Sequence, residues 1–239
     1  MYIFAAGKTG YVRFCMNIAI NADCMEYMKT IPDKYFDLAV VDPPYGIGEG
    51  DGRNHFSRGN IARGKEYNKF KDDLPPGKEY FDELFRVSKN QIIFGANHFI
   101  SKIPYDSHCW LVWDKENGEN DFADCELAWT SFDSAVRKFS FRWQGMLQGD
   151  MKNREIRFHP TQKPVALYQW IFKNYAKKGY KILDTHLGSG SSRIAAYDAG
   201  LDFVGCEIEK VFFDMQEDRF SEYTAQLSLF SGFVQEEML

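Results

Sequence analysis

Two short segments hold side chains that could do chemistry together. The first is Asp42-Pro43-Pro44-Tyr45. Its prolines fix the backbone, so a carboxylate, a main-chain carbonyl and a phenol ring project in set directions. That arrangement suits a planar base bearing an exocyclic amine. Asp42 and the Pro43 carbonyl would accept the amine hydrogens, and Tyr45 would stack on the ring. An aromatic amine is a weak nucleophile because its lone pair is delocalised. Two acceptors that hold both hydrogens draw the nitrogen toward a tetrahedral geometry and free that pair. Read alone, the four residues also fit a proline-rich turn at the end of a sheet.

The second segment is Asp184-Thr185-His186-Leu187-Gly188-Ser189-Gly190, followed by Ser191. Glycines let the backbone approach a ligand closely, and a helix amino end favours anionic groups. Glu207 follows Gly190 by 17 residues, where a carboxylate can accept hydrogen bonds from both ribose hydroxyls. A dinucleotide fingerprint would place a third glycine where Arg193 stands, and no Gly-Lys-Ser/Thr phosphate loop is present. The pattern therefore points to a nucleoside without a pyrophosphate, or to a tight strand-to-helix turn that binds nothing.

The elements around these segments must position them. Short apolar runs at 17–22, 36–41, 91–94, 109–113, 126–130, 181–184 and 203–207 read as strands. Helical patterns fall at 24–30, from Pro76 with Phe81, Leu84, Phe85 and Ser88 on one face, from Pro164, at 191–199 and at about 209–227. Strands alternating with helices imply an α/β fold with a mostly parallel sheet, whose ligands lie beyond the carboxyl ends of the strands. Both segments occupy that place. Residues 1–16 read as an N-terminal extension and 17–239 as one domain. Within it, residues 46–73 form a lid-like, basic loop.

The 239 residues are 44% hydrophobic, 26% charged and 16% aromatic, which excludes collagen, coiled coil and disorder throughout. The sequence shows neither a membrane span nor a signal peptide. The five cysteines form no CxxC pair, so no disulfide framework and no metal site is expected, and a reducing, cytoplasmic setting follows. His55 and His98 lack a paired carboxylate at a telling spacing and read as structural or surface residues. Net charge is −5, but it is unevenly spread. Residues 52–71 and 137–163 each carry a net +5, and 198–239 carry −8. Such polarity can steer a polyanion to one face, or it is simply solvated surface.

Taken together, in this order, Asp42-Pro43-Pro44-Tyr45 and the later Asp-x-x-x-Gly-x-Gly resemble the DNA amino-methyltransferases that use S-adenosylmethionine. The order matches their permuted, beta-type group, and the similarity spans about residues 17–220. Asn21-Ala22-Asp23-Cys24 looks like the family element whose acid, here Asp23, meets the cofactor adenine. His159-Pro160-Thr161-Gln162-Lys163-Pro164 resembles the segment bordering the methionine end, which implies cofactor roles for Thr161 and Lys163. Phe94-Gly95-Ala96-Asn97 and Trp113-Asp114-Lys115 match family-like strand ends. Ala22 and His186 depart from the family pattern without removing a needed donor or acceptor.

The resemblance implies a Rossmann-like, doubly wound, seven-stranded, circularly permuted class I methyltransferase fold. It implies S-adenosyl-L-methionine as cofactor, held by Asp23, Thr161, Lys163, Asp184, Thr185, Gly188, Ser189, Gly190, Ser191 and Glu207. Asp42, Pro43, Pro44 and Tyr45 would be catalytic. Asp at position 42 favours adenine N6; cytosine N4, an RNA or protein amide, or an inactive binding module are the rival readings. The partner would be double-stranded DNA, with a second copy of the chain and a restriction endonuclease as further candidates. DNA contacts are expected from Arg53, Arg58 and Arg63 in the basic loop. Others are expected from Arg137, Lys138, Arg142, Arg154 and Arg157 in a target-recognition segment at 133–158, which also holds Trp143 and Gln144. So short a segment supports one or two base-reading contacts, hence a site of roughly two to four base pairs.

Overall fold

The computed structural model describes residues 15–47, 74–118, 123–144 and 147–236. The basic loop from residue 48 to 73, with Arg53, His55, Arg58 and Arg63, lies outside the described residues, as does the extension up to residue 14. Element order is β1 (Asn17–Asn21), α1 (Cys24–Lys29), β2 (Phe36–Val41), α2 (Lys78–Val87), β3 (Ser88–Phe94), β4 (Trp110–Asp114) and β5 (Cys125–Thr130). There follow β6 (Arg137–Ser140), β7 (Trp143–Gln144), β8 (Leu147–Gln148), α3 (Val165–Tyr175), β9 (Lys181–Asp184), α4 (Ser191–Asp198), β10 (Asp202–Glu207) and α5 (Lys210–Glu236).

The sheet runs β1-β10-β9-β2-β3-β5-β4-β6, and among the described residues only β5 is antiparallel to its neighbours. Seven of these strands are the expected ones. The eighth, β6, adds to the β4 edge, with Leu111 opposite Arg137 and Asp114 opposite Ser140. Three of its four side chains are exposed, so no apolar alternation marks it in the sequence. Residues β7 and β8 form a separate two-stranded ribbon.

Successive side chains of β2 feed opposite faces. Leu38 and Val40 pack with Leu167, Ile171 and Phe172 of α3 and with Ala195 of α4. Ala39 and Val41 pack with Met28 of α1 and with Phe81, Leu84 and Val87 of α2. Two-sided burial explains why this strand reads as a continuous apolar run. Several boundaries differ from the sequence reading, those of α2 and α5 among them. Helix α2 starts at Lys78 and closes its buried face with Val87, because Ser88 already opens β3. Helix α5 continues to Glu236. Among the described residues no helix is long and apolar enough to cross a membrane.

From β2 the sheet grows outward through β3, and from β9 it grows the other way through β10 to β1. The carboxyl ends of β2 and β9 therefore flank a topological switch point, where open α/β sheets leave a crevice. Asp42 follows β2, and Asp184 ends β9.

Arg193 staples this half of the sheet. The side chain is buried in α4 and donates to Asn17 Oδ1 of β1 at 2.8 Å. It also donates to Gln216 Oε1 and Glu217 Oε1 of α5 at 2.9 and 2.7 Å, with its guanidinium 4.0 Å from the Phe220 ring centroid. Arg193→Ala strips donors from the buried oxygens of Asn17 and Gln216, each costing about 1–3 kcal/mol. Urea unfolding should show a loss of about 2–5 kcal/mol, and a change within error of zero would contradict the staple.

Candidate active site

Asp42 leaves β2 into two prolines that cannot extend the ladder, and Tyr45 folds back toward it. The Tyr45 hydroxyl donates to Asp42 Oδ1 at 2.7 Å. Its ring stacks on His98, with centroids 5.0 Å apart and planes 14° from parallel. The ring lies against Gly95, which has φ +65° and caps the end of β3. A Cβ on Gly95 would come within 2.0 Å of the Tyr45 ring. The Phe94-Gly95-Ala96-Asn97 turn thus makes room for Tyr45, and His98 is a ring-packing residue.

Lys163, only 4% exposed, brings its ammonium to the same point. Nζ donates to Asp42 Oδ2, to Glu126 Oε2 at 3.0 Å and to the Tyr45 hydroxyl at 3.2 Å. Lys115 in turn pairs with Glu126 Oε1 at 2.6 Å. Burial raises the Asp42 carboxyl above its ordinary value; Lys163 opposes this and Glu126 adds to it. Burial also acts upward on Glu126, but the Lys163 and Lys115 ammoniums outweigh it and leave Glu126 well below its usual range. The sequence reading sent Lys163 to the cofactor and missed Glu126 altogether. The available signal was a carboxylate inside the half-buried strand β5.

The glycine turn is built from Asp184 and Glu207. Asp184 accepts the His186 N–H at 3.0 Å and the Ser192 hydroxyl at 2.5 Å. Burial pushes its carboxyl up to about 7 against these bonds. Gly188 and Gly190 have φ +50° and +74°, a backbone that favours glycine. Glu207 Oε2 accepts the Gly188 N–H at 2.8 Å and Oε1 the Glu209 N–H at 2.9 Å. Asp23 caps α1 by accepting the Met25 N–H at 2.7 Å. Thr185 Oγ1 meets the Tyr80 hydroxyl at 2.6 Å and His186 Nδ1 at 2.9 Å. Thr161 Oγ1 lies 3.2 Å from His159 Nδ1. Burial pushes His159 down to about 3 and His186 to about 4, so both imidazoles are neutral near pH 7. Arg219 of α5, also missed from sequence, donates to the Ser189 carbonyl at 2.8 Å and pairs with Glu155 at 2.6 Å.

A cleft of about 330 Å³ joins the two segments. Asp42, Pro43, Pro44 and Tyr45 line it, with Asp23, Thr161, Lys163, Thr185, Gly188, Ser189 and Glu207. Asp184, Gly190 and Ser191 stand behind its wall and shape the turn. Of the described basic residues, Arg137 and Lys138 are on the exposed edge strand β6, where Lys138 pairs with Asp114 at 3.1 Å. Arg142 and Arg154 are exposed. Arg157 packs 5.5 Å from the Trp143 ring centroid and donates to the Pro160 carbonyl at 3.4 Å. Trp143 Nε1 donates to the Gln162 carbonyl at 2.7 Å, and Gln144 Nε2 to the Asn117 carbonyl at 2.5 Å.

Residues 112–218 match the family model described as DNA methylase, of the N6/N4 type. Over those residues the chain is similar to the amino-methyltransferases of DNA. It is 25% identical over 253 residues to the type II methyltransferase M.HinfI of Haemophilus influenzae, covering 87% of this chain and 69% of that one. It is 24% identical to M.HpaI of Haemophilus parainfluenzae, covering 90% and 75%. The fold is that of M1.HpyAVI, solved with S-adenosylmethionine, at TM-score 0.52 and 22% identity over 84% of this chain and 98% of that one. It is also that of the cytosine-N4-specific PvuII DNA methyltransferase, at TM-score 0.53 and 11% identity over 84% and 85%.

Two measurements check this geometry. An alanine at position 95 needs a left-handed backbone, costing about 1–2 kcal/mol, and it collides with Tyr45. Gly95→Ala should therefore destabilise the chain, and adding Tyr45→Ala should relieve part of the loss. Strict additivity in the double-mutant cycle would refute the contact. The second concerns Asp184. Its folded pKa lies above the unfolded value, so the folded state holds the proton longer. Its contribution to stability should be fully present below about pH 4 and decline as pH rises to about 7. Asp184→Asn should flatten that part of the stability profile; an unchanged slope would contradict the shift.

Proposed function

We propose that the chain transfers a methyl group from S-adenosyl-L-methionine to the exocyclic N6 of adenine in double-stranded DNA. The observation that carries this reading is a single cleft at the switch point, lined by the Asp42 carboxylate on one side and the Gly188–Glu207 pair on the other. Its volume lies in the range of small-molecule sites. Its lining fits the cofactor: an acid at the end of β10, a glycine turn free of side chains, and neutral, planar walls from His159 and His186. Asp23, Thr161, Thr185, Gly188, Ser189 and Glu207 would bind it, with Asp184, Gly190 and Ser191 holding the turn in shape. When bound, the cofactor supplies a methyl carbon made electrophilic by its sulfonium.

The chain's own residues do the rest. Asp42 and the Pro43 carbonyl accept the two amine hydrogens and aim the nitrogen lone pair at the methyl carbon. Pro44 fixes the turn, and Tyr45 supports the ring. Rate enhancement then comes from in-line positioning and from oriented acceptors in a dry site. The base must leave the duplex, since its amine is otherwise paired, at a cost of a few kcal/mol. Arg53, Arg58, Arg63, Arg137, Lys138, Arg142, Arg154 and Arg157 would face phosphates, with 133–158 as the target-recognition segment of a single domain. The type II names of the relatives support a restriction–modification setting. The aspartate at position 42 favours adenine over the N4 amine of cytosine.

Nucleoside mass spectrometry of DNA incubated with the chain and cofactor should yield N6-methyladenine. N4-methylcytosine would correct the base, and unmodified DNA would refute the reading. Asp42→Ala should abolish transfer while leaving affinity for S-adenosylhomocysteine, measured by calorimetry, within a few-fold. Glu207→Ala should weaken that affinity, since each hydrogen bond to a charged acceptor is worth about 1.5–3 kcal/mol.

A further inference from the structure

Behind the acceptor Asp42 stands a set of charges drawn from four separate stretches of chain. Lys163 precedes α3, Glu126 lies in β5, Lys115 follows β4, and Asp42 and Tyr45 follow β2. The Lys163 ammonium has three protons and three oxygen acceptors: Asp42 Oδ2, Glu126 Oε2 and the Tyr45 hydroxyl. Tyr45 has one proton to give. Its oxygen is 2.7 Å from Asp42 Oδ1 and 3.4 Å from Glu126 Oε2, so Asp42 receives it. Each Asp42 oxygen is thus held by one donor and keeps a second acceptor direction. Lys115 closes the set on the far oxygen of Glu126 at 2.6 Å. Two carboxylates and two ammoniums leave it neutral. The Lys163 ammonium also lies 4.9 Å from the Phe94 ring centroid and 5.5 Å from that of Tyr45, both attractive for a cation.

We propose that Lys163 and Glu126 are positioning residues for methyl transfer: Lys163 keeps Asp42 ionised and fixes its carboxylate plane, and Glu126, backed by Lys115, anchors the Lys163 ammonium there. This rests on the reading above that Asp42 accepts the target amine. It gives Lys163 a place on the target side of the cleft rather than the cofactor side. A protonated Asp42 would have lost an acceptor position to its own hydrogen, so its ionised form is the one that can hold an amine.

The two residues act on Asp42 with opposite signs, since one is a cation and the other an anion. Other groups face Asp42 as well. Asp184 of β9 and Tyr168 of α3 both feel its charge, and His159 feels that of Lys163. His98 covers the Tyr45 ring. Both substitutions leave these side chains in the sequence, and the one direct effect on them is a lost charge: that of Lys163 at His159 and that of Glu126 at Tyr168. Removing the ammonium must make Asp42 harder to ionise. Neutralising Glu126 must make it easier. A packing role for either residue would do neither.

The test is a titration of Asp42 by NMR in protein carrying carbon-13 at its aspartate carboxyls, with Asp42→Asn to assign the signal. The Asp42 midpoint should rise by about one pH unit or more in Lys163→Met and fall in Glu126→Gln. In single-turnover methyl transfer to duplex DNA, the acid limb of the rate should move the same two ways. One unit of movement is tenfold in rate on the acid side. Calorimetry with S-adenosylhomocysteine should give an affinity within a few-fold of native for both variants. Midpoints that stay in place overturn the proposal, and so does a large loss of that affinity in Lys163→Met. If Lys163→Met does not fold, Glu126→Gln decides alone: a fall supports the proposal and an unmoved midpoint overturns it. Opposite shifts in a chain that methylates no DNA would leave the charge arrangement standing and remove the assigned reaction.

Discussion

A buried ammonium has few places to go. Taking a charge out of water costs several kcal/mol unless it is paired and its protons are all accepted, and Lys163 is almost wholly out of water. Its acceptors come from the ends of β2 and β5, which flank β3 in the sheet. The positions of Asp42, Tyr45 and Glu126 are therefore mutually dependent. A shift in any one leaves an unpaired charge in the interior. The same constraint governs Gly95: only a residue without Cβ lets the Tyr45 ring reach the place where its hydroxyl serves both Asp42 and Lys163.

The other half of the cleft is stabilised differently. The glycine turn has left-handed residues at 188 and 190, and it is held by neutral donors meeting carboxylates: Gly188 N–H on Glu207, His186 N–H and the Ser192 hydroxyl on Asp184. Behind it, Arg219 of α5 reaches the Ser189 carbonyl and the Ser191 hydroxyl. Its partner Glu155 also accepts the Val165 N–H at the start of α3. One ion pair thus ties the end of the 133–158 segment, the entry to α3 and the glycine turn to a single point.

That segment also behaves unlike an appended module. Part of it is sheet, because β6 completes the β4 edge, and Phe139 and Phe141 pack against the main core. Gln148 is buried and exchanges two hydrogen bonds with the Glu155 backbone, both at 2.8 Å. Trp143 and Gln144 are committed to main-chain carbonyls. The side chains left to meet a partner are the exposed ones, such as Arg142 and Arg154.

The local features were legible in the sequence because they are local. A six-residue apolar run stopped by two prolines is a strand end wherever it occurs, and glycines two apart after Asp184 mark a turn that needs positive φ. Seven strands, their alternation with helices and the two chemical segments followed from that alone, and the parallel sheet set both segments at one edge. What the tertiary structure decided was which charges meet. Lys163 and Asp42 are 121 residues apart, and Tyr45 and Glu126 are 81. Their contact depends on β5 lying beside β3 and on the segment before α3 crossing the end of β2, and no periodicity in the chain encodes strand order. Desolvation then sets the partners, because an ammonium buried at the switch point is stable only against carboxylates that the sheet has already brought there.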